Sequence, residues 1–146
     1  MSRDRIIVGV DGSSSSRRAL DWAIDLARDL KAELLAVHAA EIAPAAMFLA
    51  EKPGSEPEYE AARRRLEQTV REDWCRSLLD AGVPFEILVE DGGPALVLMA
   101  AADRAVARTI VVGPRGAGGS PGLPLGSVGL QLAQYARRPV TIVRES

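Results

Sequence analysis

The sequence predicts an α/β fold: one doubly wound sheet of five parallel strands in the order 3-2-1-4-5, with helices on both faces. Apolar runs rich in β-branched residues alternate along the chain with segments of helical period, as in βαβ units. These runs are apolar at nearly every position, which is typical of strands buried on both faces. At 146 residues, with 47% hydrophobic and 26% charged residues, the chain fits one domain over 1–146.

The first half of the chain supplies two strands and two helices. The apolar run 5–11 predicts the first strand. The segment 13–32 opens with four serines and then spaces its apolar residues three and four apart, which predicts an amphipathic helix with a serine cap. The run 33–40 predicts a second buried strand, and the stretch 41–57, with three prolines, predicts a loop. A long charged helix is expected over 58–81, because apolar residues recur every four positions.

The second half continues the alternation. The run 84–91 predicts strand three, and the alanine-rich segment 92–107, with a proline near its start, predicts a helix. Strand four is expected at 108–113, a helix at 127–137 and strand five at 138–145. Right-handed crossovers put strand one at the centre of such a sheet. A ligand would then bind beyond the carboxyl ends of strands one and four, where the winding reverses.

Composition excludes several classes of function. The formal charge of −2 gives no basic surface for nucleic acid, and no apolar stretch has the length of a membrane span or signal segment. The single cysteine, Cys75, cannot form an intrachain disulfide, which is typical of a cytoplasmic protein. With His38 as the only histidine, neither a zinc site nor a Ser-His-Asp triad can be assembled. We interpret both residues as packing residues.

The stretch 113–129, which follows strand four, holds seven of the 13 glycines. Glycine lets the backbone turn sharply and approach a ligand closely, and the start of the last helix favours an anion. This arrangement suits a phosphate chain, although glycine-rich composition alone is more typical of a flexible surface connection. On the phosphate interpretation, replacing Gly113 with valine should block the phosphates and leave the fold largely intact.

For Arg115 and for the serine run 13–16, the sequence leaves two interpretations open. Arg115, inside the loop, is either a cationic partner of phosphate or a solvent-exposed arginine. The serine run 13–16 caps a helix in the simpler interpretation, and in the other it also contacts phosphate, because it follows strand one.

The spacing of the loop is more specific than its composition. Gly113-x-x-Gly116, nine further residues and then Gly126-Ser127 reproduce the motif G-x2-G-x9-G-[S/T]. With this motif the chain resembles the universal stress protein family over nearly its whole length. The segment "IIVGVDGSSSSRRALDWAIDLA" is similar to that family's first strand, aspartate and first helix, and "LLAVHAA" and "RRPVTIV" are similar to its second and last strands.

The resemblance implies an adenine-nucleotide α-hydrolase-like fold. Resemblance to the ATP-binding branch of the family implies that ATP binds, with or without Mg²⁺, that Asp11 contacts the adenosine part, and that backbone around Ala39 lines the adenine pocket. It further implies that the phosphates are held by the loop and the start of the last helix: Gly113, Gly116, Gly126, Ser127 and Val128. Such proteins are typically homodimers, and we expect a regulatory protein with a protein partner and at most slow ATP hydrolysis.

Some features depart from that pattern or leave alternatives open. The family often has a second hydroxyl where this chain has Gly129, and Pro121 and Pro124 remove backbone donors but stiffen the loop. One alternative is an ATP-using enzyme of the wider nucleotide α-hydrolase group, whose phosphate signatures are missing here. The other is a stress protein that binds no nucleotide, a branch that lacks the glycine motif. The apolar, β-branched strand five predicts dimerisation along its edge.

Overall fold

A computed structural model describes residues 3–40, 55–115 and 125–145. Five strands in these ranges form one sheet in the order β3-β2-β1-β4-β5, and every neighbouring pair is parallel. The strands are β1 (Arg5–Gly9), β2 (Glu33–Ala40), β3 (Phe85–Asp91), β4 (Thr109–Val112) and β5 (Val140–Ile142). The predicted fold class and strand order are therefore confirmed.

The helices of the described ranges occupy the expected positions between the strands. They are α1 (Ser14–Leu30), α2 (Ser55–Thr69), α3 (Arg76–Leu79), α4 (Pro94–Ala105) and α5 (Ser127–Tyr135). The predicted serine cap is present, because the Ser13 hydroxyl accepts the amide hydrogen of Ser16. Most of the loop predicted at 41–57 lies outside the described residues, and its last three positions belong to α2.

The prediction of one continuous helix over 58–81 was wrong. Helix begins earlier, at Ser55, and after α2 the chain forms a π-helical turn over Val70–Trp74. In that turn the Cys75 amide donates to the Val70 carbonyl over 2.8 Å, five residues back. Cys75 itself leaves helical geometry, with φ −107° and ψ 22°, before α3 resumes. Apolar residues four apart are compatible with both an α-helix and a π-helical turn. The spacing therefore could not reveal the extra residue in the turn.

The sheet separates two apolar layers. On one face the first layer packs α1, the π turn and α3 against the sheet, with fully buried residues such as Ile6, Leu20 and Leu78. On the other face the second layer packs α4 and α5, with Ile7, Ile110 and Leu132 at its centre. The sheet is therefore covered on both faces, as the continuous apolar runs require. Over the residues described, no helix combines the length and apolar character that a membrane span needs.

Helix α4 ends in a strained conformation. Its C-terminal capping residue, Val106, has φ 51° and ψ 54°, in the left-handed region that glycine usually occupies. The Val106 side chain is 68% exposed, so little packing compensates for the steric cost of a β-branched residue there. Its amide donates to carbonyls of the last turn, which explains why the backbone keeps this conformation.

We expect Val106→Gly to raise the free energy of unfolding by about 1 kcal/mol, because glycine adopts the left-handed region without steric cost. In thermal unfolding this corresponds to about 2–4 °C for a domain of this size. The control is Val106→Ala, which removes the exposed apolar branch but keeps the Cβ that causes the strain. Equal stabilities of the glycine and alanine variants would contradict the assignment of strain to this residue.

Candidate functional site

The winding of the sheet reverses between β1 and β4, which are hydrogen-bonded neighbours in register from Ile6 with Thr109 to Val8 with Val111. After β1 the chain enters α1 on one face, and after β4 it reaches α5 on the other. In sheets of this kind the two connections diverge, and ligands bind in the crevice that this divergence leaves beyond the carboxyl ends of the two strands. Most of the binding residues predicted from the sequence lie at this edge.

Asp11, just after β1, organises the start of α1. Its Oδ1 accepts hydrogen bonds from the amide and the hydroxyl of Ser13, at 2.9 and 2.5 Å. The Asp11 amide donates to Ser16 Oγ over 3.3 Å, and that hydroxyl donates to the Ser13 carbonyl over 3.1 Å. The half-buried carboxylate is thereby held at the mouth of the crevice. Two of the four serines are used in this network, which supports their interpretation as a helix cap.

Gly113, directly after β4, lies against the first turn of α1. A Cβ built on Gly113 would overlap the Ser15 hydroxyl and would come within 2.9 Å of the Ser15 carbonyl oxygen and 3.0 Å of its carbon. Ser15 is only 6% exposed, and its Oγ has no hydrogen-bond partner in the described structure. The expectation that valine at this position would leave the fold intact was therefore wrong, because the side chain would collide with backbone of α1.

The two described ends of the glycine loop meet at its base. The Gly126 amide donates to the Pro114 carbonyl over 2.6 Å, and Gly126 caps α5. The first helical hydrogen bond of α5 runs from Leu130 to Gly126, so the amides of residues 127–129 have no acceptor within the helix. These amides, together with the exposed Ser127, face the position where an anion is favoured.

The remaining loop predictions divide by position. Val128 packs its side chain against the second apolar layer, so only its backbone can serve a ligand. The position of Gly116 lies outside the described residues, as do Pro121 and Pro124. Gly129 is buried, and a Cβ on it would lie 2.7 Å from Leu125 Cδ1. Leu125 thus fills the space that a side chain at position 129 would enter, which gives a packing reason for the missing hydroxyl.

An aromatic contact that the sequence did not predict lies near the carboxyl end of β2. Ala39, near the end of β2, is partly buried, and its neighbour His38 lies with Nδ1 2.7 Å from the Val10 carbonyl oxygen. The His38 ring meets Trp74 edge to face, with centroids 4.8 Å apart. Trp74 also covers Gly12, whose φ is +82° and whose built Cβ would lie 2.6–2.8 Å from the indole.

Two titratable groups near this edge have perturbed pKa values. Burial raises the pKa of the Cys75 thiol to about 11, which the nearby Arg71 charge only partly offsets, so the thiol stays protonated at neutral pH. The hydrogen bond that Tyr59 donates to Asp91, over 2.7 Å at the end of β3, raises the pKa of the phenol. Arg63 pairs with the same carboxylate over 3.3 Å. The protonated, buried Cys75 is consistent with a packing role.

Arg115 is paired rather than free. Its Nη2 lies 3.2 Å from Glu145 Oε1, in the segment after β5, and the same oxygen lies 2.7 Å from Arg18 Nη2 on α1. The Val143 amide, two residues before Glu145, donates to the Val112 carbonyl over 2.9 Å. This bond directs the chain end past the carboxyl end of β4, beside the start of the glycine loop.

Elsewhere on the molecule, a shallow groove of about 240 Å³ runs between α4 and β3, where Arg104 and Glu90 pair over 2.7 Å. Its floor is formed by Leu35 and Leu88, and it has no glycine loop or helix start at its rim. Among the described residues, no group of three or more acidic, histidine or cysteine side chains is arranged to hold a metal ion. The crevice at β1 and β4 is therefore the better candidate for a ligand site.

The chain matches known proteins over nearly its whole length. The profile of the universal stress protein family matches residues 2–144. The chain belongs to the universal stress protein family. A universal stress protein of Mycobacterium tuberculosis is 35% identical over 144 residues, 97% of this chain and 45% of that protein. The universal stress protein YxiE of Bacillus subtilis is 30% identical over 148 residues, 97% of this chain and 99% of YxiE. This chain thus spans about half the length of the mycobacterial relative and nearly all of YxiE.

Solved universal stress proteins share the fold. UspA of Lactobacillus plantarum superposes with a TM-score of 0.77 at 19% identity, over 99% of each chain. A universal stress protein solved in complex with cAMP gives 0.63 at 29% identity, over 100% of each chain. The protein of Archaeoglobus fulgidus solved with dAMP gives 0.66 at 22% identity, over 97% of this chain and 98% of that one. The fold of this chain is therefore the adenine-nucleotide α-hydrolase-like fold.

Because a Cβ at position 113 would press on α1 backbone, we expect Gly113→Ala to lower the free energy of unfolding by about 2 kcal/mol. Denaturant titration measures this loss. The same loss should appear in the Ser15→Ala background, since the nearest backbone atoms remain. Gly93→Ala is the matched control, because a Cβ there meets nothing within 4 Å. Full recovery of stability in the Ser15→Ala background would show that only the hydroxyl is in the way.

Proposed function

We propose that this universal stress protein is a cytoplasmic regulatory module that binds ATP in the crevice between β1 and β4. Its nucleotide occupancy would control binding to a regulatory protein partner. Any hydrolysis would be slow, because Asp11 is engaged with the Ser13 cap and His38 lies against the Val10 carbonyl. Neither group is positioned to activate water.

One observation carries this proposal. The first turns of α1 and α5 both touch the two consecutive residues that follow β4: Ser15 lies against Gly113, and Gly126 donates to Pro114. The N-termini of two helices therefore lie close to the same two residues at the carboxyl end of β4. Their dipoles add there, which favours an anionic group such as phosphate.

Nucleotides bound to relatives support adenine as the base. The neighbours solved with cAMP and dAMP carry adenine nucleotides. On this proposal Asp11 and the backbone at Ala39 hold the adenosine part. The phosphates are held by the amides of Ser127 and Val128 and by the Ser127 hydroxyl, with Gly113 and Gly116 allowing close approach. The Gly126 amide donates to the Pro114 carbonyl, so on this proposal Gly126 joins the two ends of the loop and does not donate to phosphate.

Mg²⁺ would accompany the triphosphate. Since no cluster of acidic or histidine side chains suited to a metal occurs among the described residues, the ion would be coordinated mainly by phosphate oxygens and water. This arrangement requires no dedicated metal site of the protein.

Ser127 offers a direct test. A hydrogen bond to a charged group is worth about 1.5–3 kcal/mol, so Ser127→Ala should weaken ATP binding roughly ten- to a hundredfold and leave adenosine binding unchanged. Calorimetric titration with ATP, AMP and adenosine measures the loss of ATP affinity and the unchanged adenosine affinity. Ser14→Ala is a matched control, because Ser14 is also an exposed serine at the first position of a helix.

The control separates the two interpretations of the serine run. An ATP defect in Ser14→Ala equal to that in Ser127→Ala would assign the phosphates to the start of α1 as well. An adenosine defect in Ser127→Ala that matches its ATP defect would show that the residue acts through the fold. Absence of ATP binding by the unchanged protein would refute the proposal.

We further propose that the protein is a homodimer joined through β5. In the described part of the chain, β5 pairs on one side only, with β4, and its three residues are all partly exposed. At the opposite edge of the sheet Arg63 donates to the Val89 carbonyl of β3 and so occupies part of that edge. The short, β-branched β5 has no charge that would discourage pairing with a second copy.

Proline at position 142 tests the dimer. Val143 donates to β4, and donors alternate along a parallel strand, so the Ile142 amide points to the open edge whereas the Thr141 amide points to β4. Ile142→Pro should therefore give a 15.6 kDa monomer in sedimentation at micromolar concentration, while the unchanged protein sediments as a dimer. Ile142→Ala is the control, since it loses packing but keeps the donor. A monomeric unchanged protein would refute the dimer.

A further inference from the structure

The carboxylate of Glu145 lies between two arginines that come from different elements. Arg18 belongs to the second turn of α1, and Arg115 lies three residues beyond the end of β4. Both guanidinium groups reach the same oxygen, at 2.7 and 3.2 Å. One carboxylate oxygen shared by two guanidinium groups has the contacts that a phosphate oxygen makes with paired arginines.

The cluster of Arg18, Arg115 and Glu145 lies beside the proposed binding crevice. Arg115 follows Gly113 and Pro114, the two residues at which the starts of α1 and α5 meet. Arg18 lies one helical turn after Ser15, the residue that touches Gly113. The chain end reaches the cluster because Val143 is fixed to Val112 at the end of β4. The arginines therefore flank the side of the crevice where a phosphate chain would leave the helix starts.

The charges of the cluster do not balance. Two arginines face one carboxylate, so a net charge of +1 remains in a region where two helix dipoles are also positive. The side chains are 30–47% exposed, which means that the ion pairs are weak enough to exchange with solvent or with another anion. A second anion can thus displace the carboxylate at small cost.

We propose that Arg18 and Arg115 form a site for the outermost phosphate of the bound nucleotide, and that Glu145 competes for this site as an internal anion. The inference rests on the proposed nucleotide binding and adds its regulation. The Glu145 carboxylate weakens the binding of ligands in proportion to the phosphates they carry. It leaves the binding of adenosine, and of the base alone, unchanged.

The test removes the charge of Glu145 and keeps its shape. Exposed ion pairs are worth little, so Glu145→Gln should tighten ATP binding by roughly two- to fivefold at low salt, with no change for adenosine. The gain should shrink as salt is added, because exposed charges are screened. Arg115→Gln should weaken ATP, and Glu145→Gln should add little in the Arg115→Gln background, since the two changes act on one site.

Asp4→Asn is the matched control. Asp4 is also an exposed carboxylate that pairs with an arginine, Arg108, over 3.1 Å, but this pair lies just before β1 and β4, at the amino ends of the strands. This variant should leave ATP binding unchanged. A gain in Asp4→Asn as large as that in Glu145→Gln would assign the effect to net charge and overturn the proposed site.

Two further outcomes separate this inference from the nucleotide proposal. If the unchanged protein binds ATP and Glu145→Gln binds it equally, the competition is refuted and nucleotide binding stands. If the unchanged protein binds neither ATP nor adenosine, inorganic pyrophosphate is titrated instead. Tighter pyrophosphate binding by Glu145→Gln then supports the anion site without the nucleotide, and equal binding refutes it.

Discussion

The close approach of α1 to the end of β4, which is possible only because Gly113 has no side chain, is the constraint on which the crevice depends. The Ser15 hydroxyl occupies the place that a Cβ on Gly113 would take, and the Ser15 backbone lies only 2.9–3.0 Å from that place, so the first turn of α1 can reach the residues that follow β4. The next residue, Pro114, holds the start of α5. Two elements that begin on opposite faces of the sheet are thereby brought to one point. A side chain at position 113 would separate them and disperse the positive ends of both helices.

The strands, their order and the cap of α1 depend on features that can be recognised in short stretches of the sequence. Continuous apolar runs determine which segments are strands, and right-handed crossovers then leave the order that is observed. The serine cap of α1 is readable because Ser13 and Ser16 lie in one turn. Gly113 could be selected from the motif spacing, but its role within the fold could not. That role depends on Ser15, a residue distant in sequence whose approach only the folded chain reveals.

Contacts between distant segments account for what the sequence did not predict. The π turn brings Trp74 over Gly12 and against His38, and no periodicity specifies that one turn takes an extra residue. The pairing of Arg115 with Glu145 depends on where the chain end runs after β5. Gly129 is similar: its neighbour Leu125 occupies space that sequence comparison would assign to a ligand contact. In each case the deciding quantity is a distance between atoms of the folded chain, which residue spacing alone does not encode.

The hydrogen bond between Gly126 and Pro114 has a consequence for how such a protein can diversify. Since it joins both ends of the intervening segment, changes in the length or composition of that segment need not be transmitted to β4 or α5. The sheet with its helices and the glycine-rich segment can accumulate substitutions under separate selection. The segment can then diverge among paralogues while the sheet, its helices and its folding remain the same.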